Sequence, residues 1–170
     1  ETLRGRIYAT LRSVPIPARM SNGAPGRRTC TSDFKIRVIA RWQKLHGATS
    51  SDPAVTGIGF SLDEFDRART DSGFDWQTLE YPLLDLRITR QDCMNIIKNA
   101  GLPVPAKSSC FFCPFHSPTE WIRLRQSRPD LFQEAVNIEK YIWQKRGELG
   151  KDRMWLHAHC KPLEIAVGDQ

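Results

Sequence analysis

The sequence lacks the features that place a protein in a membrane or outside the cell. No apolar run approaches the roughly 20 residues of a membrane-spanning helix. The first residues, ETLRGRIYATLRSVPIPAR, lack the uninterrupted apolar segment of a secretory signal peptide. Internal repeats and low-complexity tracts are also absent from the sequence. We therefore expect a soluble, cytoplasmic protein with no membrane partner.

Cysteine is sparse, with five in 170 residues and no closely spaced framework. An odd number of scattered cysteines is unlike a secreted disulfide scaffold and favours reduced thiols that pack or bind metal. The chain is long enough, and with 40% hydrophobic residues apolar enough, to bury one core. We expect one domain with extensions.

Acidic residues are scarce at one end of the chain. Residues 1–46 contain ten Lys or Arg and two acids, whereas residues 47–170 contain fifteen Lys or Arg and seventeen acids. Such a basic segment suits a polyanion, for example nucleic acid, a nucleotide phosphate or sulfate. A solvated helix face gives the same composition. The candidate anion contacts are Arg27, Arg28, Lys35 and Arg37.

The first half of the chain has one clear helical pattern and one strand pattern. Apolar residues recur at helical spacing over residues 31–46, and Gly47 follows. The stretch AVTGIGFS, residues 54–61, predicts a short buried strand. It runs into SLDEFDRAR, where Ser61 and Glu64 predict a capping box. A functional group there would lie at the carboxyl end of a strand, the usual ligand crevice of an open α/β sheet.

The second half is mainly helical. Residues 80–88 predict an extended segment, followed by a helix that Thr89 and Asp92 cap and Gly101 ends. Cys93 falls on the apolar face of this helix and is interpreted as a small core residue. Another helix is expected from Ser117, and Pro129 separates it from a second one that runs to about residue 146.

The stretch SSCFFCPFHS, residues 108–117, contains a Cys-x-x-Cys turn. Cys30, Cys110, Cys113 and Cys160 all lie outside the apolar stripes and are sufficient for a tetrathiolate site. The spacing does not separate an iron–sulfur cluster from zinc. A histidine could replace one thiolate, and the candidates are His116, His157 and His159. A thioredoxin-like redox pair fits less well, because a long helical chain precedes the turn.

Four stretches carry a resemblance to a known family. RRTCTSDFKIRVI, TGIGFSLDEFDR, YPLLDLRITRQDC and GLPVPAKSSCFFCPFHSPTEW occur in the order and spacing of the C-terminal half of phosphoadenosine phosphosulfate reductase-like proteins. These are members of the adenine nucleotide alpha hydrolase superfamily, and the likeness covers about residues 15–165. The resemblance implies a helix-rich α/β fold, formed by the C-terminal part of an open sheet and a helical metal-binding subdomain.

The resemblance also implies a cofactor and a nucleotide pocket. Several sulfur-transfer members, including those of DNA phosphorothioation and tRNA thiolation, carry an iron–sulfur cluster on cysteines placed like Cys30, Cys110 and Cys113. In these proteins the strand-to-loop element that corresponds to residues 56–67 borders the adenine-nucleotide pocket. The resemblance therefore implies that Glu64 and Arg67 lie beside such a pocket. The implied cofactor is a [4Fe–4S] cluster, with zinc as the alternative and Cys160 as the candidate fourth ligand.

One departure from the family limits what the chain is expected to do. No stretch resembles the family's phosphate-binding loop SGGKDS, so an upstream segment or a protein partner is expected to supply it. The expected function is part of an adenine-nucleotide-dependent sulfur-transfer or sulfate-reduction-like enzyme. The alternative is a non-catalytic, metal-stabilised module that binds nucleic acid. The expected segments are a basic arm (residues 1–28), the rest of the α/β core (29–88) and a helical cysteine-containing subdomain (89–170).

Overall fold

The computed structural model of the chain describes residues 2–9, 14–105 and 108–168. In chain order its elements are α1 (Leu3–Ala9), α2 (Thr29–Thr31), a π-helical turn (Ser32–Ile36), α3 (Arg37–Leu45), β1 (Ala54–Gly57), a 3-10 helix (Leu62–Arg67), β2 (Gln77–Glu80), α4 (Pro82–Asp85), α5 (Arg90–Asn99), α6 (Pro118–Ser127), α7 (Pro129–Glu148) and α8 (Leu163–Ala166). About 48% of the structure is helix, and the two strands form a small parallel sheet. The predicted helix-rich α/β class is therefore confirmed.

The chain divides into two compact units. The terminal unit comprises Glu1–Lys35 and Ser108–Gln170, and the central unit comprises Ile36–Lys107. The three functional segments expected from the sequence, residues 1–28, 29–88 and 89–170, stay a prediction. No helix within the described residues combines the length and apolar character needed to cross a membrane.

Two consecutive helices, α6 and α7, form the centre of the terminal unit. Arg128 adopts a non-helical conformation between them (φ −142°, ψ 69°) because the ring of Pro129 disfavours a helical residue before it. The predicted break at Pro129 is confirmed. One side of α7 is buried against the core, and its buried apolar residues are Phe132, Ala135, Val136, Ile138 and Ile142.

A buried carboxylate joins α7 to the C-terminal segment. Glu139 is 1% exposed, and its two oxygens accept hydrogen bonds from the backbone N–H groups of Leu156 and Leu163, each at 2.8 Å. Burial is the main reason that the pKa of Glu139 is raised above its ordinary value, and the two backbone hydrogen bonds act in the opposite direction. Helix α7 therefore holds the segment around residues 156–163 through polar contacts as well as packing.

The segment before α2 is also packed into the terminal unit. Ile16 and Ala18 are buried. Arg19 forms a bridge with Trp155, whose N–H donates to the Arg19 carbonyl at 2.8 Å. Gly26 lies so close to this strand-like segment that a Cβ atom would come within 3.1 Å of the Ala18 carbonyl oxygen. These contacts fix the chain just before the basic residues and Cys30.

The two parallel strands and α3 form the centre of the central unit. Ala54 is paired with Gln77, and Gly57 with Glu80. Gln43 of α3 donates to the Thr56 hydroxyl at 2.7 Å, and the Gln77 side chain donates to the Gln43 side-chain oxygen at 2.7 Å. An amide network therefore connects the helix to both strands.

Several local predictions for the central unit are wrong. The predicted capping box at Ser61 does not form: the Ser61 hydroxyl donates to the Asp63 carboxylate at 3.4 Å, and the Glu64 carboxylate pairs with Arg67. Residues 82–85 form α4 rather than an extended segment, since Pro82 occupies the first helical turn. The predicted buried strand is half exposed, and its Val55 side chain is 58% exposed.

Helix ends were predicted more successfully. The capping box of α5 forms between Thr89 and Asp92, and that of α6 forms between Ser117 and Glu120. Cys93 on α5 is only half-buried, so its assignment to a core is wrong.

Candidate metal centre

The Cys-x-x-Cys turn is anchored in the core by the residues between and after its cysteines. Phe112 is 4% exposed and Pro114 is fully buried, whereas Cys110 is exposed and Cys113 is half-buried. The Cys113 N–H donates to the Cys110 carbonyl at 2.9 Å and closes the turn. Phe112 and Pro114 therefore hold the backbone in the core, while the two cysteines lie nearer to solvent.

A second turn follows directly and brings His116 back to the first cysteine. The His116 N–H donates to the Cys113 carbonyl at 3.0 Å, and the His116 ring Nε2 lies 2.9 Å from the Cys110 carbonyl oxygen. A carbonyl oxygen has two lone pairs and only accepts. The Cys110 carbonyl therefore receives one hydrogen bond from Cys113 and one from His116.

Cys30 is held at the start of α2. Its N–H donates to the Pro15 carbonyl at 2.8 Å, and the Thr29 hydroxyl donates to the same oxygen at 3.2 Å. The side chain of Cys30 is half-buried against the hydrophobic core of the terminal unit. Pro15 thus serves as a backbone anchor for the cysteine that follows the basic residues.

Cys113 and Cys30 both act electrostatically on the Cys110 thiol. Partial loss of solvent around its sulfur raises the pKa of the Cys110 thiol, with smaller contributions from Cys113 and Cys30. Lys35 acts in the opposite direction and lowers the pKa of Cys110. The structure thus brings together three of the four predicted ligands, Cys30, Cys110 and Cys113, in one unit.

The fourth predicted ligand, Cys160, has its own local contacts. Its thiol donates to the Met20 carbonyl at 3.4 Å, and its N–H donates to the His157 carbonyl at 3.1 Å. The backbone of Cys160 has a φ of 52°, in the left-handed region that non-glycine residues seldom adopt. Cys160 belongs to the terminal unit, and its sulfur is engaged with a backbone oxygen.

Two histidine ring nitrogens are buried without a hydrogen-bond partner among the described residues: His116 Nδ1 and His157 Nε2. His157 is 1% exposed, and its burial is the main reason that its pKa is lowered. The nearby His159 lowers the pKa of His157 further. The ring of His116 lies 4.7 Å from that of Trp121, whose Nε1 atom is also buried without a partner in the described chain. The sequence offered no signal for these unsatisfied atoms.

The donors suit the predicted cofactor by type. Thiolates are the ligands of both iron–sulfur clusters and structural zinc, and an imidazole nitrogen with a free lone pair is also a zinc ligand. Among the described residues, no three Cys, His, Asp or Glu side chains are already arranged at metal-binding distances. Metal binding here would require rotation of side chains on a turn whose backbone is fixed.

Two basic residues that precede Cys30, Arg19 and Arg28, lie near the aromatic ring of Phe115. The guanidinium carbon of Arg28 lies 5.3 Å from the ring centre of Phe115, and that of Arg19 lies 5.7 Å from it. Arg27, Arg28 and Lys35 are exposed in the terminal unit, whereas the fourth candidate, Arg37, belongs to the central unit. Phe115 could have been suspected only from its position between the second cysteine and His116.

The two candidate nucleotide contacts lie together in the central unit. Arg67 pairs with Glu64, and its guanidinium carbon stands 4.4 Å from the ring centre of Phe60. Both residues follow β1, and the carboxyl ends of β1 and β2 lie at the same edge of the parallel pair. No family model, curated protein or solved structure matches the chain.

Proposed function

We propose that the protein binds an iron–sulfur cluster through Cys30, Cys110 and Cys113 and belongs to a phosphoadenosine phosphosulfate reductase-like, adenine-nucleotide-dependent sulfur-transfer enzyme. The observation that carries the proposal is that Cys113 and Cys30, the latter from a distant part of the sequence, both lie near enough to the Cys110 thiol to raise its pKa. Thiols that merely fill a core need no such grouping. A bound cluster supplies electron transfer or a point of attachment for sulfur.

The surroundings of the thiols support an anionic, thiolate-bound cofactor. Lys35 favours the charged form of Cys110, and Arg28 is exposed over the neighbouring Phe115 ring. Positive charge near thiolates offsets the negative charge that a cluster with cysteine ligands carries. These basic side chains can also hold an anionic substrate close to the cofactor.

The nucleotide part of the proposal rests on the resemblance and on the parallel strands. Ligands of open α/β sheets bind beyond the carboxyl ends of the strands. In this chain β1 ends at Gly57 and β2 ends at Glu80. The adenine nucleotide alpha hydrolase-like fold and the pocket beside Glu64 and Arg67 are part of this proposal. A polypeptide that carries a phosphate-binding loop would complete the pocket.

The decisive experiment is metal and sulfide analysis after anaerobic purification. We expect iron and acid-labile sulfide in the wild-type protein, with the broad visible absorption of thiolate-bound iron. Cys110→Ser and Cys113→Ser should lose most of the iron. Cys93→Ser, which changes a half-buried thiol on α5, is the matched control and should keep it. Full iron occupancy in the Cys110 and Cys113 variants would show that the cluster is held elsewhere or not at all.

The second candidate function is a non-catalytic, metal-stabilised module that binds nucleic acid. The exposure of Arg27, Arg28 and Lys35 favours it, and Lys35 also acts on the Cys110 thiol. Binding through phosphates must weaken with salt, with a logarithmic slope of about 0.9 per phosphate neutralised on a duplex. Labelled DNA and RNA titrated at several salt concentrations test this. Replacing the three basic residues by Gln should flatten the slope, whereas Lys98→Gln on α5 should not.

A further inference from the structure

We infer that the outer edge of β1 is a docking site for an extended, aliphatic segment of a partner polypeptide, which adds to the parallel pair as a third strand. The inference concerns the central unit and goes beyond the proposed metal centre. Three observations carry it: unpaired backbone groups along β1, exposed apolar side chains beside that edge on both faces of the sheet, and the poor match of the edge to a second copy of itself.

The hydrogen-bond pattern shows which backbone groups of β1 have no partner. The Ala54 N–H donates to the Trp76 carbonyl at 3.0 Å, so Ala54 faces β2. The side to which a strand residue directs its N–H and C=O alternates along the strand, so Val55 and Gly57 direct theirs away from β2. Among the described residues, none of these four outward groups has a hydrogen-bond partner.

The opposite edge of the pair is partly covered by the chain itself. The Gln77 N–H of β2 donates to the Phe74 carbonyl at 3.2 Å, and the Ser72 hydroxyl donates to the Gln77 carbonyl at 2.9 Å. An uncovered strand edge is a template for pairing, and proteins often block it with a charged residue, a proline or a bulge. The four residues of β1, AVTG, pair in regular register and include none of these devices. The edge of β1 is therefore open to strand addition.

Helix α3 leaves apolar side chains beside this edge. Gln43 contacts both strands, and next to it the Lys44 ammonium lies 4.2 Å from the ring centre of Trp76, at the start of β2. The helical repeat of about 3.6 residues places Ile39 and Trp42 on the opposite side of α3, towards β1. Ile39 is 47% exposed and Trp42 is 59% exposed. A strand added along β1 would cover both.

The other face of the sheet is open at the same edge. Thr56 faces α3, where its hydroxyl accepts from Gln43, so the neighbouring Val55 lies on the far face, 58% exposed. Parallel strands are normally apolar and covered on both faces. A segment beside β1 would contact α3 on one face and Val55 on the other. This arrangement favours a continuous run of aliphatic residues in the partner.

A second copy of the chain matches this edge poorly. Self-pairing would bring Ala54 and Gly57 of another β1, which are too small to cover Trp42. Residues 34–51 contain four Lys or Arg and no acid, so two copies joined at this edge would bring like charges together. Carboxylates that flank an aliphatic segment of a different polypeptide would instead complement the basic α3. Strand addition of this kind is an established mode of peptide recognition.

Nuclear magnetic resonance of the full chain with a synthetic probe tests the site. The probe is a short peptide with a run of valine and isoleucine between glutamates, and the control peptide has the same composition with the glutamates interrupting the run. At saturation the probe should slow amide exchange of Val55 and Gly57 by about tenfold or more, because their N–H groups become paired. Exchange of Ala54, which is already paired with β2, should change little. The control peptide should protect none of them.

Two variants separate edge pairing from general apolar contact. Val55→Pro removes an outward N–H but no hydrogen bond between β1 and β2. Trp42→Gln removes exposed apolar surface without opening a core. Each should weaken probe binding by about tenfold. Ile96→Gln, at a 54% exposed position on α5, is the matched control and should bind the probe like the wild type.

Unchanged exchange of Val55 in the presence of the probe would overturn the inference, as would an equal loss of binding in Ile96→Gln. Dimerisation measured by light scattering, with protection of Val55 in the absence of the probe, would assign the edge to a second copy instead. Iron loss in Cys110→Ser and Cys113→Ser reports on the proposed metal centre alone. Failure of either proposal is therefore distinguishable from failure of the other.

Discussion

The terminal and central units are built on different interactions. The terminal unit buries large apolar side chains such as Trp121, Ile138 and Leu156 completely. The central unit buries the side-chain amides of Gln43 and Gln77, and its only fully buried apolar residue among those described is Ala40. Of the sixteen exposed large hydrophobic residues in the described chain, eleven belong to the central unit, from Ile36 to Val104.

This difference sets where stability comes from in each unit. Full burial of one large aliphatic side chain contributes about 1.5–3 kcal/mol, whereas a typical hydrogen bond contributes only about 0.5–1.5 kcal/mol. Parallel strands are usually covered on both faces, yet Val55 of β1 is 58% exposed. We therefore expect local opening of the central unit to require less free energy than opening of the terminal unit.

The largest expected effect comes from a matched pair of isoleucine substitutions. Ile138 on α7 is 0% exposed, and Ile39 on α3 is 47% exposed. Ile138→Ala should lower the free energy of unfolding by about 2–5 kcal/mol, because it leaves a cavity in a packed core. Ile39→Ala should change it by less than about 1 kcal/mol. Denaturant unfolding of both variants measures the difference, and equal losses would break the comparison between the units.

The buried carboxylate of the terminal unit gives the next largest effect. Glu139→Gln places an N–H₂ group against one of two backbone N–H donors, so we expect a loss of about 1–3 kcal/mol. The pKa of Glu139 is raised in the folded state, so its contribution is fully present below the unfolded-state pKa and declines as pH rises through the folded one. The difference between wild type and variant should therefore be largest at acidic pH and shrink as pH rises.

Glu148 provides a control, because its contribution to stability should change with pH in the opposite direction to that of Glu139. Its hydrogen bond from Lys145 is the main reason that the pKa of Glu148 is lowered. Its contribution is therefore present above the unfolded-state pKa and is lost as pH falls. Denaturant unfolding of Glu139→Gln and Glu148→Gln over a pH series measures both directions. A difference for Glu139→Gln that grew with pH would contradict the buried, proton-favouring environment of that carboxyl.

The smallest expected effect concerns the amide network of the central unit. Gln77→Ala and Gln43→Ala should each lower stability by about 0.5–1.5 kcal/mol, and the double variant should lose less than the sum, because both residues share one hydrogen bond. Amide hydrogen exchange in β1 and β2 is the appropriate measurement. Additive losses would show that the two side chains do not stabilise the strands as a unit.

Features set by neighbouring residues could be predicted from the sequence. The capping boxes at Thr89 and Ser117 and the break at Pro129 depend on side chains within four positions, and all three are confirmed. At Ser61 nearby groups compete for both partners of the predicted capping box, since the Ser61 hydroxyl donates to Asp63 and the Glu64 carboxylate pairs with Arg67. The Ser-x-x-Glu pattern alone could not show that the Glu64 carboxylate would pair with Arg67.

Features that depend on distant contacts could not be predicted. Helix α3 has the predicted apolar spacing, yet Trp42 is 59% exposed, since exposure depends on what packs against the helix and not on its own pattern. For the candidate site, the Cys-x-x-Cys spacing predicted the turn from Cys110 to Cys113. Cys30, eighty positions earlier, could be proposed as a ligand from its position outside the apolar stripes and from the resemblance, but no local spacing showed that it lies near Cys110. The unsatisfied Nδ1 of His116 depends on how the ring packs beside Trp121, which the sequence spacing does not show.

The burial of Phe112 and Pro114 beneath the cysteine turn affects how a cofactor would enter the protein. Because these residues fix the backbone through the core, only a few side-chain torsions remain to be ordered when an ion arrives. Ordering a whole loop would cost about 1–2 kcal/mol of conformational entropy per residue, and most of that cost is already met during folding. Cofactor insertion should therefore follow folding rather than drive it, so that a chelator empties the site and leaves the helices intact.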